Sequence, residues 1–366
     1  MRDMTRRVYL HIGAPKTGTT YLQDRLALNR AELAKHDVHY PLGLQASHFK
    51  AALDLLDVSW GGQREDARGE WSRLMDRVRR HDGTVIVSHE ILAGARPSQV
   101  RKAMADLEGS EVHLVYSARD LARQIPAEWQ EGIKHRRRRS FARFLTQVQN
   151  ASRSKPTMWF WRAQGLPDVL TRWGDGLPPD RIHLVTVPQA GAPRDLLWGR
   201  YCTAFGIDPA WAPEQSDREN VSIGTAETAL VRKLNRRLKK AGLEGPDYRR
   251  LVRQLMVHET LAQRPAMTRA TLPPTAYGWV DEIAQEWIEW VEGSGIDVVG
   301  DVTELRPAAP DPDVPWDNPD RPRRRDMVDA ALDALVAMTL EAASRPDPND
   351  QLGAKIGRAA RRLRGQ

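Results

Sequence analysis

Residues 8 to 20 limit the possible folds of this chain more than any other stretch. An apolar run, Val8 to Ile12, leads into Gly13-Ala14-Pro15-Lys16-Thr17-Gly18-Thr19-Thr20. The chain then enters a segment, Tyr21 to His36, in which Leu22, Leu26, Asn29 and Leu33 share one helical face. A buried strand, a glycine-punctuated turn and a helix N-terminus together make an anion cradle, because free backbone N–H groups and the positive end of the helix dipole converge on one spot. Gly13 and Gly18 are spaced as in a Walker A loop, yet Thr19 stands where that loop carries its lysine, and Lys16 lies two residues before the second glycine. The stretch therefore reads as a phosphate-holding loop without the lysine that an ATPase aims at the β- and γ-phosphates.

Beyond this helix, strands and helices alternate. Val38-His39-Tyr40-Pro41, Thr84 to Ser88, Val112 to Ser117 and Arg181 to Pro188 read as further strands. Residues 47–57, Trp71 to Arg80, Gln99 to Leu107, Leu121 to Lys134 and Leu166 to Trp173 read as helices, with Pro126 marking a kink or a start in the fourth. Asp57 to Gly69 reads as an exposed loop. The expected class is α/β, an open, mainly parallel five-stranded sheet flanked by helices. Beyond residue 190 the chain becomes mostly helical, with candidates at Ala226 to Ala241, Tyr248 to Ala262 and Tyr277 to Glu292. The expected organisation is an α/β domain over 1–305, a Pro/Asp-rich linker over 306–322 and a helical, basic tail over 323–366.

Composition excludes some classes. In 366 residues there is one cysteine, Cys202, so neither an intrachain disulfide nor a thiolate metal cluster can form. No apolar run reaches the ~18 residues of a membrane span. The N-terminus has no signal-peptide pattern, and the expected location is cytoplasmic. The ten histidines lack zinc-site spacing. A net charge of +7 suits anionic ligands of many kinds.

In open α/β sheets, ligands lie outside the carboxyl ends of the strands. The polar residues there are the Lys16 loop, then His39 and His48, then Ser88, His89 and Glu90, then Ser117, Arg119 and Asp120. Taken singly, each is more commonly a helix cap or a solvated side chain; their shared end of the sheet makes them a set. The basic run Arg136 to Arg139 and the aromatic trio Trp159, Phe160 and Trp161 read more simply as a solvated loop and part of a core.

Gly13-Ala14-Pro15-Lys16-Thr17-Gly18-Thr19-Thr20-Tyr21-Leu22-Gln23 resembles the 5′-phosphosulfate loop of sulfotransferases that use 3′-phosphoadenosine-5′-phosphosulfate (PAPS). Tyr116 to Asp120 resembles the 3′-phosphate element of that family. The likeness is to bacterial, actinomycete-like members of the superfamily and spans roughly residues 8 to 300, including Val38–Pro41, 85–90, 122–135, 181–188 and 220–224. It implies a P-loop NTPase-like fold, PAPS as co-substrate and a small-molecule or carbohydrate acceptor. No metal, nucleic acid or membrane partner is implied. It carries donor binding onto Lys16, Thr17, Gly18, Thr19, Thr20 and Arg119. Lys16 becomes the catalytic cation, with Glu90, His89 or His48 as the base. The family has a serine eight residues after the arginine, where this chain has Ala127; Ser117 or Gln124 are the candidates to replace it. The alternatives are a P-loop small-molecule kinase or NTPase, and a non-enzymatic nucleotide- or nucleic-acid-binding protein.

Overall fold

The computed structural model describes residues 6–41, 48–59, 64–193, 195–216, 222–243 and 245–345. Six strands form one sheet: β1 (Arg7–Gly13), β2 (Val38–His39), β3 (Thr84–Ser88), β4 (Glu111–Ala118), β5 (Ile182–Thr186) and β6 (Asp297–Val299). The order is β2-β3-β1-β4-β5-β6 and every pairing is parallel. The sheet has one strand more than the sequence reading counts. β6 is three residues, Asp297-Val298-Val299, too short to stand out by periodicity, and it forms because β5 offers an edge.

Alternation along β1 sorts the two faces. Val8, Leu10 and Ile12 enter a large core with Trp71, Leu74, Ile125, Trp129 and Trp161. Tyr9 faces a smaller core made by Leu22, Leu26, Trp198, Tyr201 and Phe205. Both faces are thus covered, as an all-parallel sheet requires. Phe160 and Trp161 are fully buried, and the Trp161 indole donates to the Val148 carbonyl at 2.7 Å, so these two belong to the core. The basic run is solvated at Arg137 to Arg139.

The chain leaves β1 towards β2 on one side, and leaves β4 towards β5 on the other. The gap between the carboxyl ends of β1 and β4 is therefore the point where winding reverses. Leu121–Lys134 follows β4 as one helix with Pro126 inside it; Asp120 starts it by accepting from the Arg123 N–H at 2.9 Å. Phe141–Asn150 and Leu196–Phe205 are helices that the sequence reading did not name, and Arg64–Ala67 is a helical turn within the expected loop. Tyr248–Thr260 winds as a π-helix. Residues 306–322 carry no strand or long helix, but Asp320 accepts from the N–H groups of Phe141 and Ala142, both at 2.9 Å. Arg324–Ala343 is a helix whose Ala330 and Ala334 are buried. The basic tail from Ala354 and the first two residues of the 220–224 stretch lie outside the described residues. Among the described residues, no helix is long and apolar enough to cross a membrane.

Candidate active site

The loop Gly13 to Thr20 closes over the carboxyl end of β1 and feeds the helix Thr19–Leu28. Gly18, at φ +87°, occupies the position before the helix, and a Cβ there would lie 2.7 Å from Leu197. The left-handed φ is what requires glycine there, since the Leu197 methyl could give way. No side chain caps this helix and no acidic residue stands in its first turn, so its N-terminal N–H groups and its dipole remain available to an anion.

Hydroxyls brace the loop from below. Thr17 Oγ1 donates to the Ala14 carbonyl at 2.6 Å and lies 2.6 Å from Ser117 Oγ. Ser117 in turn reaches the Gly13 carbonyl at 2.9 Å, and the Ala14 N–H donates to the Ser117 carbonyl at 2.8 Å. Beneath them lies His11, fully buried, 2.7 Å from Ser88 Oγ and 3.5 Å from Ser117 Oγ. Burial lowers its pKa to about 4, so it is a neutral imidazole joining three strand ends.

Arg119 leaves the end of β4 and is held by the helix that follows. Its Nε donates to Gln124 Oε1 at 2.9 Å and a terminal nitrogen to the Arg123 carbonyl at 3.1 Å. Burial lowers its pKa to about 10, which leaves it a cation at neutral pH. Gln124 Nε2 donates to the Pro15 carbonyl, which also receives Gln164 Nε2 at 3.1 Å. One amide therefore couples the arginine to the loop. Of the two candidates to replace the missing serine at Ala127, Ser117 is turned under the loop and Gln124 is engaged at both ends.

Lys16, at φ +66°, points away from β3 towards the far end of the 121–134 helix, where its ammonium meets Glu131 Oε2 at 2.5 Å. His135 lies 3.0 Å from the other oxygen of Glu131, and Lys134 and Arg253 each lie 3.7 Å from the carboxylate. Burial works against this charge, but Lys16, His135 and Lys134 outweigh it and hold Glu131 well below its ordinary pKa. One turn earlier, burial pushes Glu128 up to about 7, with Lys16 opposing and Glu131 adding to the shift. Gln124, Glu128, Glu131 and His135 follow an i, i+4, i+7, i+11 course along an otherwise buried helix. That polar stripe is present in the sequence as a helical spacing; it carries groups that the strand-end rule does not reach.

The remaining candidates gather on the other side of the loop, at the end of β3. Glu90 opens the 3₁₀ turn Glu90–Gly94 and accepts from Gln23 Nε2 of the loop helix at 2.9 Å. Burial opposes its charge, while His89, its own main-chain N–H and Gln23 favour it, and its pKa ends below the ordinary value. His89 accepts the Ile91 N–H at its Nδ1, at 3.3 Å, and stacks on Phe49 at 5.1 Å; burial lowers its pKa. His48 has both ring nitrogens on main chain: Nε2 donates to the Pro41 carbonyl at 3.1 Å and Nδ1 accepts from the Ser88 N–H at 3.2 Å. Buried, with its pKa lowered to about 4, it joins β3 to the segment after β2. His39 stacks on His81 at 3.9 Å. Lys16, Thr17 to Thr20 and Arg119 thus share the β1/β4 gap, and Glu90, His89 and His48 form a separate group at β3.

No family model matches the chain, and no curated protein matches it. Among solved structures, it is similar to a sulfotransferase from Alicyclobacillus acidocaldarius. Identity is 16%, the match covers 66% of this chain and 98% of that one, and the TM-score is 0.37.

Proposed function

We propose that this chain is a sulfotransferase that moves the sulfuryl group of PAPS to a hydroxyl or amine of a small-molecule or carbohydrate acceptor and releases adenosine 3′,5′-bisphosphate. The observation that carries this reading is the Gln124 bridge, which couples Arg119 to the loop that bears Lys16 and leads into an uncapped helix N-terminus. A donor with one phosphate at its 5′ end and another on its ribose calls for two linked cationic positions of this kind. The resemblance of residues 13–23 and 116–120 to the family's two phosphate elements agrees with it.

In this reading the N–H groups of residues 17 to 20 hold the 5′-phosphate. Lys16 turns from Glu131 to the bridging oxygen, neutralising the charge that collects there as the S–O bond breaks. The acceptor oxygen or nitrogen forms the new bond to sulfur and gives its proton to a base. A base works best when its pKa lies near the working pH, which favours Glu128, at about 7, over Glu90, which is held below the ordinary carboxylate value. His89 and His48, with lowered pKa values and main-chain duties, rank behind both.

Calorimetric titration tests the donor assignment. Adenosine 3′,5′-bisphosphate should bind, AMP should bind at least about tenfold more weakly for want of the second phosphate, and ATP should gain nothing from magnesium. Magnesium-dependent ATP binding without a 3′-phosphate preference would replace this reading with a P-loop kinase or NTPase.

A further inference from the structure

Around Glu131 the charges do not balance. Lys16, Lys134 and Arg253 approach this carboxylate at 2.5, 3.7 and 3.7 Å, three cations on one anion. The neighbouring carboxyl, Glu128, is pushed up to about 7 by burial, and even a full negative charge there would leave the cations in excess. The Lys16 and Arg253 side chains are 32% and 37% exposed, so this net positive charge is open to an incoming anion.

Lys134 shows where that ion belongs. Its side chain is 7% exposed, and its ammonium faces the Glu131 carboxylate at 3.7 Å, an ion contact longer than a direct hydrogen bond. An ammonium has three donors and this contact engages at most one of them, so the others can turn to an added anion. The π-winding of Tyr248–Thr260 adds two more groups, because its i→i+5 hydrogen bonds bring residues five apart near the same face, and Arg253 and His258 are five apart. His258 is half-buried, and burial together with Lys134 and Arg253 lowers its pKa to about 4, so in the free protein it is a neutral donor or acceptor.

We propose that Lys134, Arg253 and His258 form an anion site beside Lys16 that receives a carboxylate, sulfate or phosphate group of the acceptor. The substrate class is then an acidic molecule, anchored by its charge while a neighbouring hydroxyl or amine meets the donor. The assignment of this ligand as an acceptor rests on the sulfotransferase reading; the anion site itself does not. Occupation by an anion also competes with Glu131 for these cations and so loosens the hold of Glu131 on Lys16.

The imidazole signals of His258 and His135 can be followed by NMR while inorganic sulfate is titrated into protein saturated with PAPS, so that the donor's own sulfuryl position is filled. The expected result is a saturable shift. Sulfate should bind about tenfold or more weakly in Lys134→Met and Arg253→Gln but be retained in Lys134→Arg, with PAPS and adenosine 3′,5′-bisphosphate affinities within about twofold of wild type. No saturable shift, or the same sulfate affinity in Lys134→Met, would overturn the proposal. A shift seen with the bisphosphate but abolished by PAPS would also overturn it, since the cations would then serve the donor's sulfuryl group. If neither nucleotide binds, the donor reading fails, and sulfate titration of the free protein still decides whether the anion site exists.

Discussion

In the proposed transfer two residues, Lys16 on the loop and Glu128 on the helix after β4, divide the work. Lys16 is the cation of the proposed transfer, and Lys16→Ala should lower turnover by about a hundred- to a thousandfold, as for loss of one electrostatic donor, while the protein still folds. In the proposed reaction Glu128 supplies the pH dependence. As a base it must be ionised, so turnover should rise with pH through about 7, the value to which burial pushes it. Glu128→Gln should remove that rising limb and cost about a hundred- to ten-thousandfold in rate. Steady-state rates from about pH 5.5 to 9, on either side of that pKa, check both, and an unchanged limb in Glu128→Gln would return the role to Glu90 or His89.

At the scale of elements, the Phe141–Asn150 helix is started from a distance. Ser140 accepts from the Arg143 N–H at 3.3 Å, and the Asp320 carboxylate takes the N–H groups of Phe141 and Ala142 and meets Arg232 at 3.2 Å. Asp320→Ala should cost more than the ~1 kcal/mol of a lost cap, because it also leaves the buried Arg232 side chain without its carboxylate. Asp320→Asn, which keeps a cap acceptor but also loses the charge, should cost less than Asp320→Ala; equal urea midpoints for the two variants would remove the cap from the account. This contact also shows why part of the molecule was legible in the sequence and part was not. β1, β3 and β5 are apolar runs beside turn residues, and Leu121–Lys134 carries Asp120 at its start, so local chemistry announces them. β6 and the pinning of residues 306–322 depend on partners more than a hundred residues away, and no local pattern encodes them. The site divides the same way. The loop is visible as a motif, whereas the turn of Lys16 towards Glu131 and the commitment of His48 to main chain come from tertiary packing.

For the molecule as a whole, buried neutral histidines set the response to acid. His11 and His48 have pKa values of about 4 in the folded protein against an ordinary 6.5. Since burial lowers them, the unfolded chain takes up these protons first. Their contribution is complete above about pH 6.5 and is lost as the pH falls towards 4, by about 3 kcal/mol for each histidine when fully expressed. Glu128 has the opposite sign, because its raised pKa costs stability above about pH 7 and relieves that cost as the pH drops towards the ordinary carboxylate value. The protein should therefore be less stable at about pH 5 than at about pH 7.5, and Glu128→Gln should steepen the difference. Urea unfolding at the two pH values measures this; a flat profile in both proteins would contradict neutral burial of His11 and His48.

The sheet order also sets a timetable for the protein as it is made. β1 is synthesised first, but its partners arrive much later: Val8 pairs with Val85 of β3 and with Val112 of β4. While the chain leaves the ribosome, the phosphate loop exists as sequence long before it has walls, for Ser117, Arg119, Gln124 and Glu131 must all emerge before it can be braced. An apolar strand whose first partner, β3, lies 77 residues further along (Val8 to Val85) is a place for a chaperone to hold. A messenger cut between β3 and β4 would release a chain that carries the whole loop motif and none of the geometry that gives it meaning.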